Sequence, residues 1–438
     1  MSIEDRPNIL LVFTDDQGYG DLGCYGSPYI DTPNVDRLAN EGVRYTDFQA
    51  APICTPSRAA LMTGSYAARV GLANGVLFPG DDHGLAENEI TIAELLSRAG
   101  YATTAIGKWH LGDHHPFLPT DHGFDSYFGI PYSNDMRPNN VHGKDVHPPL
   151  PLVREDTVVE TEPDQRTLTE RYTDEAVSFI EEHAQREHPF FCYLAHTMPH
   201  VPLHVSEPFE GGSYGGLYGD VIEEVDHGVG RLLEMLEEEG IEDDTLVVYT
   251  SDNGPWLRMG HDGGNAGPLR DGKATAYEGG HRVPAIARWP GVVPEDTVCR
   301  ELATTMDLLP TFATLAGVAH EIPSDRTIDG VNISRLLTDP ETSDSPREDF
   351  GYFGSNGELR AIRNAEGYKY FPQEDELYDL HRDVSERVDI RDEEPAKADA
   401  LAERFTQLQS DLKHNCRPVG DVPGPAFTER GGTTPHDT

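Results

Sequence analysis

The chain has 438 residues and carries 77 acidic side chains against 34 basic ones, for a formal net charge of −43. That balance argues against a nucleic-acid partner, whose phosphate backbone would be repelled rather than neutralised, while the length suits one large α/β domain plus a smaller one. No apolar run approaches the roughly 20 residues that span a bilayer, and five scattered cysteines without CxxC spacing argue against a disulfide framework or a thiolate metal site.

In chain order, Met1–Pro7 has neither a basic start nor an apolar core, so no secretory signal is expected and the cytosol is the expected compartment. Asn8–Phe13 is a continuous apolar run, as in a parallel strand covered on both faces. Asp15 and Asp16 follow it directly. Thr32-Pro33 reads as an N-cap with proline at the first helical position, opening a helix through Asn40. Pro52 to Gly64 then holds Cys54, Pro56 and Arg58 at the start of a helical pattern, where backbone N–H groups and the helix dipole favour an oxyanion. Taken alone, Cys54 reads as a buried turn cysteine.

Thr91 and Glu94 have capping-box spacing before a helix that Gly100 stops. A strand is expected over 101–106, a helix near 172–186, a strand over 189–194, a helix near 220–239 and a strand over 245–249. The alternation is that of a mostly parallel sheet with helices on both faces. Lys108 and His110 follow the strand over 101–106, His196 and His200 that over 189–194, Asp252 and Asn253 that over 245–249. Four strands thus deliver charged or metal-binding groups to one sheet edge, where open α/β sheets bind ligands. Any one cluster could be an Asx turn or a helix cap; four together are not explained that way.

Asp15, Asp16, Asp252 and Asn253 offer three carboxylates and an amide carbonyl. These hard oxygen donors suit Ca2+ or Mg2+ rather than zinc. Such a cation would act as a Lewis acid toward a tetrahedral anion, with Arg58, Lys108 and Lys273 clamping its oxygens and His110 and His200 as proton-transfer candidates.

Cys54-Thr55-Pro56-Ser57-Arg58, followed by an apolar pair and Thr63-Gly64, resembles the active-site motif of the sulfatase family. Gly100–Gly112, containing Lys108 and His110, resembles its second diagnostic segment, and Leu269–Gly280, containing Lys273, its late lysine segment. Glu376–Leu380 is similar to a Leu-Tyr-Asp-Leu element of its C-terminal part. The resemblance covers roughly residues 6 to 320 and implies an alkaline-phosphatase-like fold: a large α/β domain over 1–340 and a small subdomain with an antiparallel sheet over 341–416. Strand-like patterns from 359 to 370 and a helical 396–412 agree, and the Gly-, Pro- and Thr-rich residues 417–438 read as a poorly ordered tail.

The resemblance further implies that a maturase oxidises Cys54 to formylglycine, whose hydrate attacks the sulfur of a sulfated small molecule or carbohydrate. Asp15, Asp16, Asp252, Asn253 and an oxygen of the modified Cys54 would hold the cation. Arg58 would hold the modified residue, Lys108 would bridge it to sulfate, His110 would take the proton that lets sulfate depart, and His200 with Lys273 would serve the leaving oxygen. His200 is chosen over His196 for its His-x-Pro context, and His204 is either a substrate contact or a loop histidine. Two other activities fit the same residues: a phosphonate monoester or phosphodiester hydrolase, and an unmodified protein that binds sulfate esters without cleaving them. The leaving group is expected to meet the loops 113–137 and 255–268, which contain His114, His115, Asn134, Trp256, Arg258 and His261. Carboxylates spread from end to end, rather than gathered in a tail, suggest a surface adapted to high salt, where a Debye length of about 3 Å at 1 M removes self-repulsion.

Overall fold

The computed structural model describes residues 6–138 and 147–422. Its strands are β1 (Asn8–Thr14), β2 (Val43–Gln49), β3 (His83–Gly84), β4 (Ala102–Lys108), β5 (Ser126–Ile130), β6 (Pro151–Arg154), β7 (Thr157–Thr161), β8 (Phe190–Ala195) and β9 (Thr245–Ser251). They continue with β10 (Arg282–Arg288), β11 (Thr297–Cys299), β12 (Ala303–Thr304), β13 (Asp349–Phe353), β14 (Leu359–Asn364), β15 (Tyr368–Phe371), β16 (Glu376–Asp379) and β17 (Gly420–Asp421). The α-helices are α1 (Pro33–Asn40), α2 (Cys54–Thr63), α3 (Ile92–Arg98), α4 (Leu168–His183), α5 (Gly216–Glu238), α6 (Glu278–His281), α7 (Leu308–Leu315), α8 (Ser334–Thr338) and α9 (Pro395–His414).

The large mixed sheet runs β11-β2-β10-β9-β1-β8-β4-β5-β6-β7, with β12 beside β2. Its centre, β9-β1-β8-β4-β5, is parallel throughout. β1 shows why the apolar run is unbroken. Ile9, Leu11 and Phe13 enter a core shared with α2, α3 and α7, while Leu10 and Val12 enter a second core shared with α1, α4 and α5. A strand covered on both faces has no solvent side to carry polar residues. Chain order places β8 and β9 on opposite sides of β1, so the carboxyl end of β1 is a switch point of the sheet.

The capping box of α3 is formed: Glu94 N donates to Thr91 Oγ1 at 3.1 Å and Thr91 N to Glu94 Oε2 at 2.8 Å. The expected Thr32 cap of α1 is replaced. Thr32 Oγ1 donates to Asp36 Oδ1 instead, and the α1 N–H groups of Asn34 and Val35 donate to Asp226, a residue of α5.

The separate sheet β13-β14-β15-β16 is antiparallel and is packed by Ala398, Leu401, Phe405 and Leu408 of α9. Its core also takes in Ala60, Tyr66 and Met306 from the side of the large sheet. Lys369 of β15 is buried between Glu278 of α6 at 3.1 Å and Glu386 at 2.8 Å, so the small sheet grips the segment that follows Lys273. Residues 417–422, read from composition as the start of a loose tail, are fastened. Arg417 pairs with buried Glu89 at 2.6 Å, and β17 pairs antiparallel with β3. The rest of that tail, from 423 on, lies outside the described residues. Among the described residues no helix is long and apolar enough to cross a membrane.

Candidate active site

Residues at the carboxyl ends of β1, β4 and β9 meet the first turn of α2. Cys54 is the first residue of that helix and Pro56 lies in its first turn, where a missing N–H breaks no intrahelical bond. Cys54 and Arg58 are four residues apart and therefore share one helix face. Every residue of α2 is buried, and Gly64 ends it at φ 61, where an added Cβ would sit 3.0 Å from Leu309 Cβ.

Cys54 Sγ lies 3.4 Å from Asp15 Oδ1 and 3.5 Å from Lys273 Nζ. Lys108 Nζ pairs with Asp15 Oδ2 at 2.5 Å, and Lys273 Nζ with Asp16 Oδ1 at 2.6 Å. Arg58 donates through Nε (3.2 Å) and Nη2 (3.0 Å) to Asp252 Oδ2 and through Nη1 to Lys108 O at 2.7 Å. Asp252 Oδ1 accepts from Asp16 N at 3.1 Å, and Asn253 Nδ2 donates to Asp16 Oδ1 at 2.7 Å. His200 Nε2 stands 3.6 Å from Asp16 Oδ2, and its Nδ1 donates to Val201 O at 2.6 Å. His110 Nε2 donates to Leu77 O at 2.9 Å and leaves Nδ1 without a partner among the described residues. Asp16 and His110 both hold left-handed backbone, at φ 66 and 64. This is uncommon strain for non-glycine residues and falls in two of the loops that carry the cluster.

Ligand atoms of Asp15, Asp16, Cys54 and His200, all buried, lie within 4.8 Å of one another, so this cluster could bind a metal ion. The expected ligands Asp252 and Asn253 border that group through Asp16, and Asp252 is at present the partner of Arg58. A hard cation fits the donors: besides three carboxylates, Asn253 Oδ1 is buried without a hydrogen-bond partner among the described residues.

The electrostatics follow from burial. Burial would raise the Asp15 carboxyl, but Lys108, His200 and Arg58 outweigh it and hold Asp15 well below the ordinary carboxylate range. Asp252 is pushed up by burial and by the charge of Asp15. Burial would lower Lys273, yet Asp16, Cys54 and Asp15 raise it, so it remains a cation. Burial, with Lys108 and Arg58, holds His110 well below its ordinary 6.5. The Cys54 thiol is pushed well above 9 by burial and by Asp15 and is therefore protonated, a poor nucleophile as encoded.

All the residues singled out in the sequence for this edge come together except His196. Its ring is buried toward Tyr172, 6.5 Å between centroids, without a partner for either nitrogen among the described residues. Trp256, from the 255–268 loop, lies beside the cluster, its ring 4.6 Å from Lys273 Nζ and 5.6 Å from the His200 ring. Three other expected substrate contacts are paired elsewhere. His114 is buried and paired with Asp113, Asn134 is buried against Gln165 and Pro202 O, and His115 pairs with Asp121. Ser133 was missed: its Oγ is 3.4 Å from Lys108 Nζ, delivered from the end of β5. The apolar run Tyr127–Ile130 before Pro131 is the signal that marks it as a fifth strand end.

A family model described as Sulfatase matches residues 7–318, and one described as N-sulphoglucosamine sulphohydrolase, C-terminal, matches residues 271–414. The chain is 42% identical over 364 residues to N-acetylgalactosamine-6-sulfatase of Homo sapiens, covering 78% of this chain and 67% of that protein. It is 43% identical over 381 residues to arylsulfatase A of Bos taurus, covering 83% and 74%. The solved structure of PsFucS1 sulfatase from Pseudoalteromonas sp. superposes with a TM-score of 0.85 at 28% identity, covering 95% of this chain and 92% of that one.

Proposed function

Because this chain belongs to the sulfatase family and is a sulfuric ester hydrolase, we propose that the Cys54 cluster is its catalytic centre. The observation that carries this reading is Cys54 Sγ at the head of a buried helix, 3.4 Å from Asp15 and 3.5 Å from Lys273. Asp15, Asp16, Asp252 and Asn253, with an oxygen of the modified Cys54, would hold Ca2+ or Mg2+, which supplies Lewis-acid polarisation of a sulfate oxygen. Cys54 converted to formylglycine supplies, as its hydrate, the hydroxyl that displaces the alcohol from sulfur and a second hydroxyl that releases sulfate. The thiol is only 2% exposed, so the maturase has to reach Cys54 before α2 packs.

The side chains divide the remaining work. Arg58, fixed by Lys108 O and Asp252, would hold the modified residue 54. Lys108, steered by Asp15 and Ser133, donates to the sulfate oxygens. His110, with its proton fixed on Nε2 by Leu77 O, takes a proton at Nδ1. Lys273 and His200 would stabilise or protonate the leaving oxygen. A base whose folded pKa is depressed stays neutral until the pH falls through that low value. The kcat profile is therefore expected to show no acid limb at the ordinary histidine value of 6.5; a limb centred there would contradict this role for His110.

The substrate we propose is a sulfated carbohydrate. The relative named N-acetylgalactosamine-6-sulfatase is named for a sugar sulfate, and Trp256 offers a ring face beside Lys273 and His200 for the leaving group. Comparison of kcat/KM for sulfated sugars and aryl sulfates with that for phosphonate monoesters and phosphate diesters tests the activity. Sulfate esters are expected to be preferred. Preference for the phosphorus esters, or saturable binding with no sulfate released, would overturn the reading.

A reducing, salt-rich cytoplasm suits five unpaired cysteines and a net charge of −43. The unfolding midpoint is expected to climb steeply from low to molar KCl; a midpoint indifferent to salt would remove the argument for a high-salt environment.

A further inference from the structure

The wall of the site on the His110 side is the segment from Leu77 to Gly84, and its fastenings lead to the end of the described chain. Leu77 N donates to Thr55 Oγ1 at 3.1 Å, and Leu77 O is the acceptor for His110 Nε2 at 2.9 Å. Gly80 N donates to Asp113 Oδ2 at 2.8 Å, while Asp113 Oδ1 holds His114 Nδ1 at 2.8 Å. His114 Nε2 lies 3.5 Å from Val422 O. Val422 N donates to Asp82 O at 3.0 Å, and β17 pairs with β3 alongside. The crossing strand is anchored upstream: Arg417 N donates to Arg69 O at 2.5 Å, and its guanidinium reaches Glu89 and Thr327 O. Asp113 and His114 are 4% and 1% exposed and paired with each other.

A carbonyl oxygen only accepts, so the bond from His110 to Leu77 O fixes the imidazole proton on Nε2 and leaves Nδ1 as the acceptor. If Leu77 O moves, nothing else on the described residues holds that tautomer, because Nδ1 has no partner. We propose that Asp113, His114 and the crossing strand Arg417–Val422 are positioning residues for His110, holding the Leu77–Gly84 wall in place. The inference rests on the role of His110 as the proton acceptor.

The test uses the full, matured chain with His114→Ala, His114→Gln, Gly420→Val and His110→Ala, reading kcat and KM on one sulfate ester together with Tm. At Gly420 an added Cβ would lie 2.6 Å from Phe117 Cε1 and 2.9 Å from Ala86 Cα, so Gly420→Val displaces the crossing strand. His114→Ala and Gly420→Val are expected to lower kcat by about ten- to a hundredfold with KM changed by no more than about twofold. His114→Gln, which keeps a donor amide, is expected to recover most of that loss. If His110→Ala removes turnover while His114→Ala lowers Tm and leaves kcat alone, the positioning role is overturned and the role of His110 stands. If His110→Ala keeps full kcat, the proton-acceptor role falls and the positioning role with it.

Discussion

Cys54→Ala is expected to reduce kcat by roughly 10^4- to 10^6-fold, the scale on which an enzyme loses its covalent nucleophile. Cation and ester binding should persist, because Asp15, Asp16, Asp252 and Asn253 are organised by Lys108, Lys273 and Arg58 rather than by the thiol. Alanine keeps the helix start and removes only the small buried group at position 54, so Tm should fall only slightly. Steady-state kinetics with calorimetric titration of a sulfate ester separate the two effects. Retained turnover would remove Cys54 from the mechanism, and lost cation binding would make the oxygen at position 54 an indispensable ligand.

Lys369→Met is expected to destabilise the fold by about 3–5 kcal/mol, the cost of breaking a buried ion pair from one side. Lys369 is fully buried, lies 3.5 Å from the centre of the Tyr352 ring and pairs with both Glu278 and Glu386. Without it Glu386 loses its cation out of water, while Glu278 keeps Arg282 at 3.3 Å. Burial already raises Glu386, with Lys369 opposing, and removal of Lys369 raises it further. A carboxyl whose folded pKa exceeds its unfolded value contributes stability that is present below the unfolded value of 4.5 and lost as pH rises through the folded one. The loss should therefore be larger at neutral than at acid pH. Denaturant midpoints at two pH values check it, and a midpoint unchanged at neutral pH would show the cluster to be dispensable.

The edge of the sheet was readable because its signals are local. Asp15-Asp16, Lys108–His110 and Asp252-Asn253 each follow an apolar run whose length and β-branching mark a strand, and the cysteine motif opens a helix by its own proline and arginine. The α3 capping box lies within four residues and formed as read. What escaped depends on partners far along the chain. Asp226 caps α1 from α5, a contact that no window around Thr32 contains. Ser133 was hidden because β5 is only five residues long. His114 has the composition of a loop ligand, yet a buried aspartate and a carbonyl of the crossing strand take its two nitrogens. Residues 417–422 look like tail by composition, but the Arg417–Glu89 pair, the β17–β3 pairing and the close approach of Val419 to Gly71, where an added Cβ would lie 2.9 Å from Val419 Cβ, all come from far along the chain.

The assignment of Cys54 as the source of the nucleophile is tested most directly by mass spectrometry of the peptide that contains it, taken from protein whose sulfatase turnover has been measured on the same sample. The expected result is the mass of the aldehyde or its hydrate at position 54, in a fraction that tracks specific activity. An unmodified cysteine throughout a fully active preparation would contradict it.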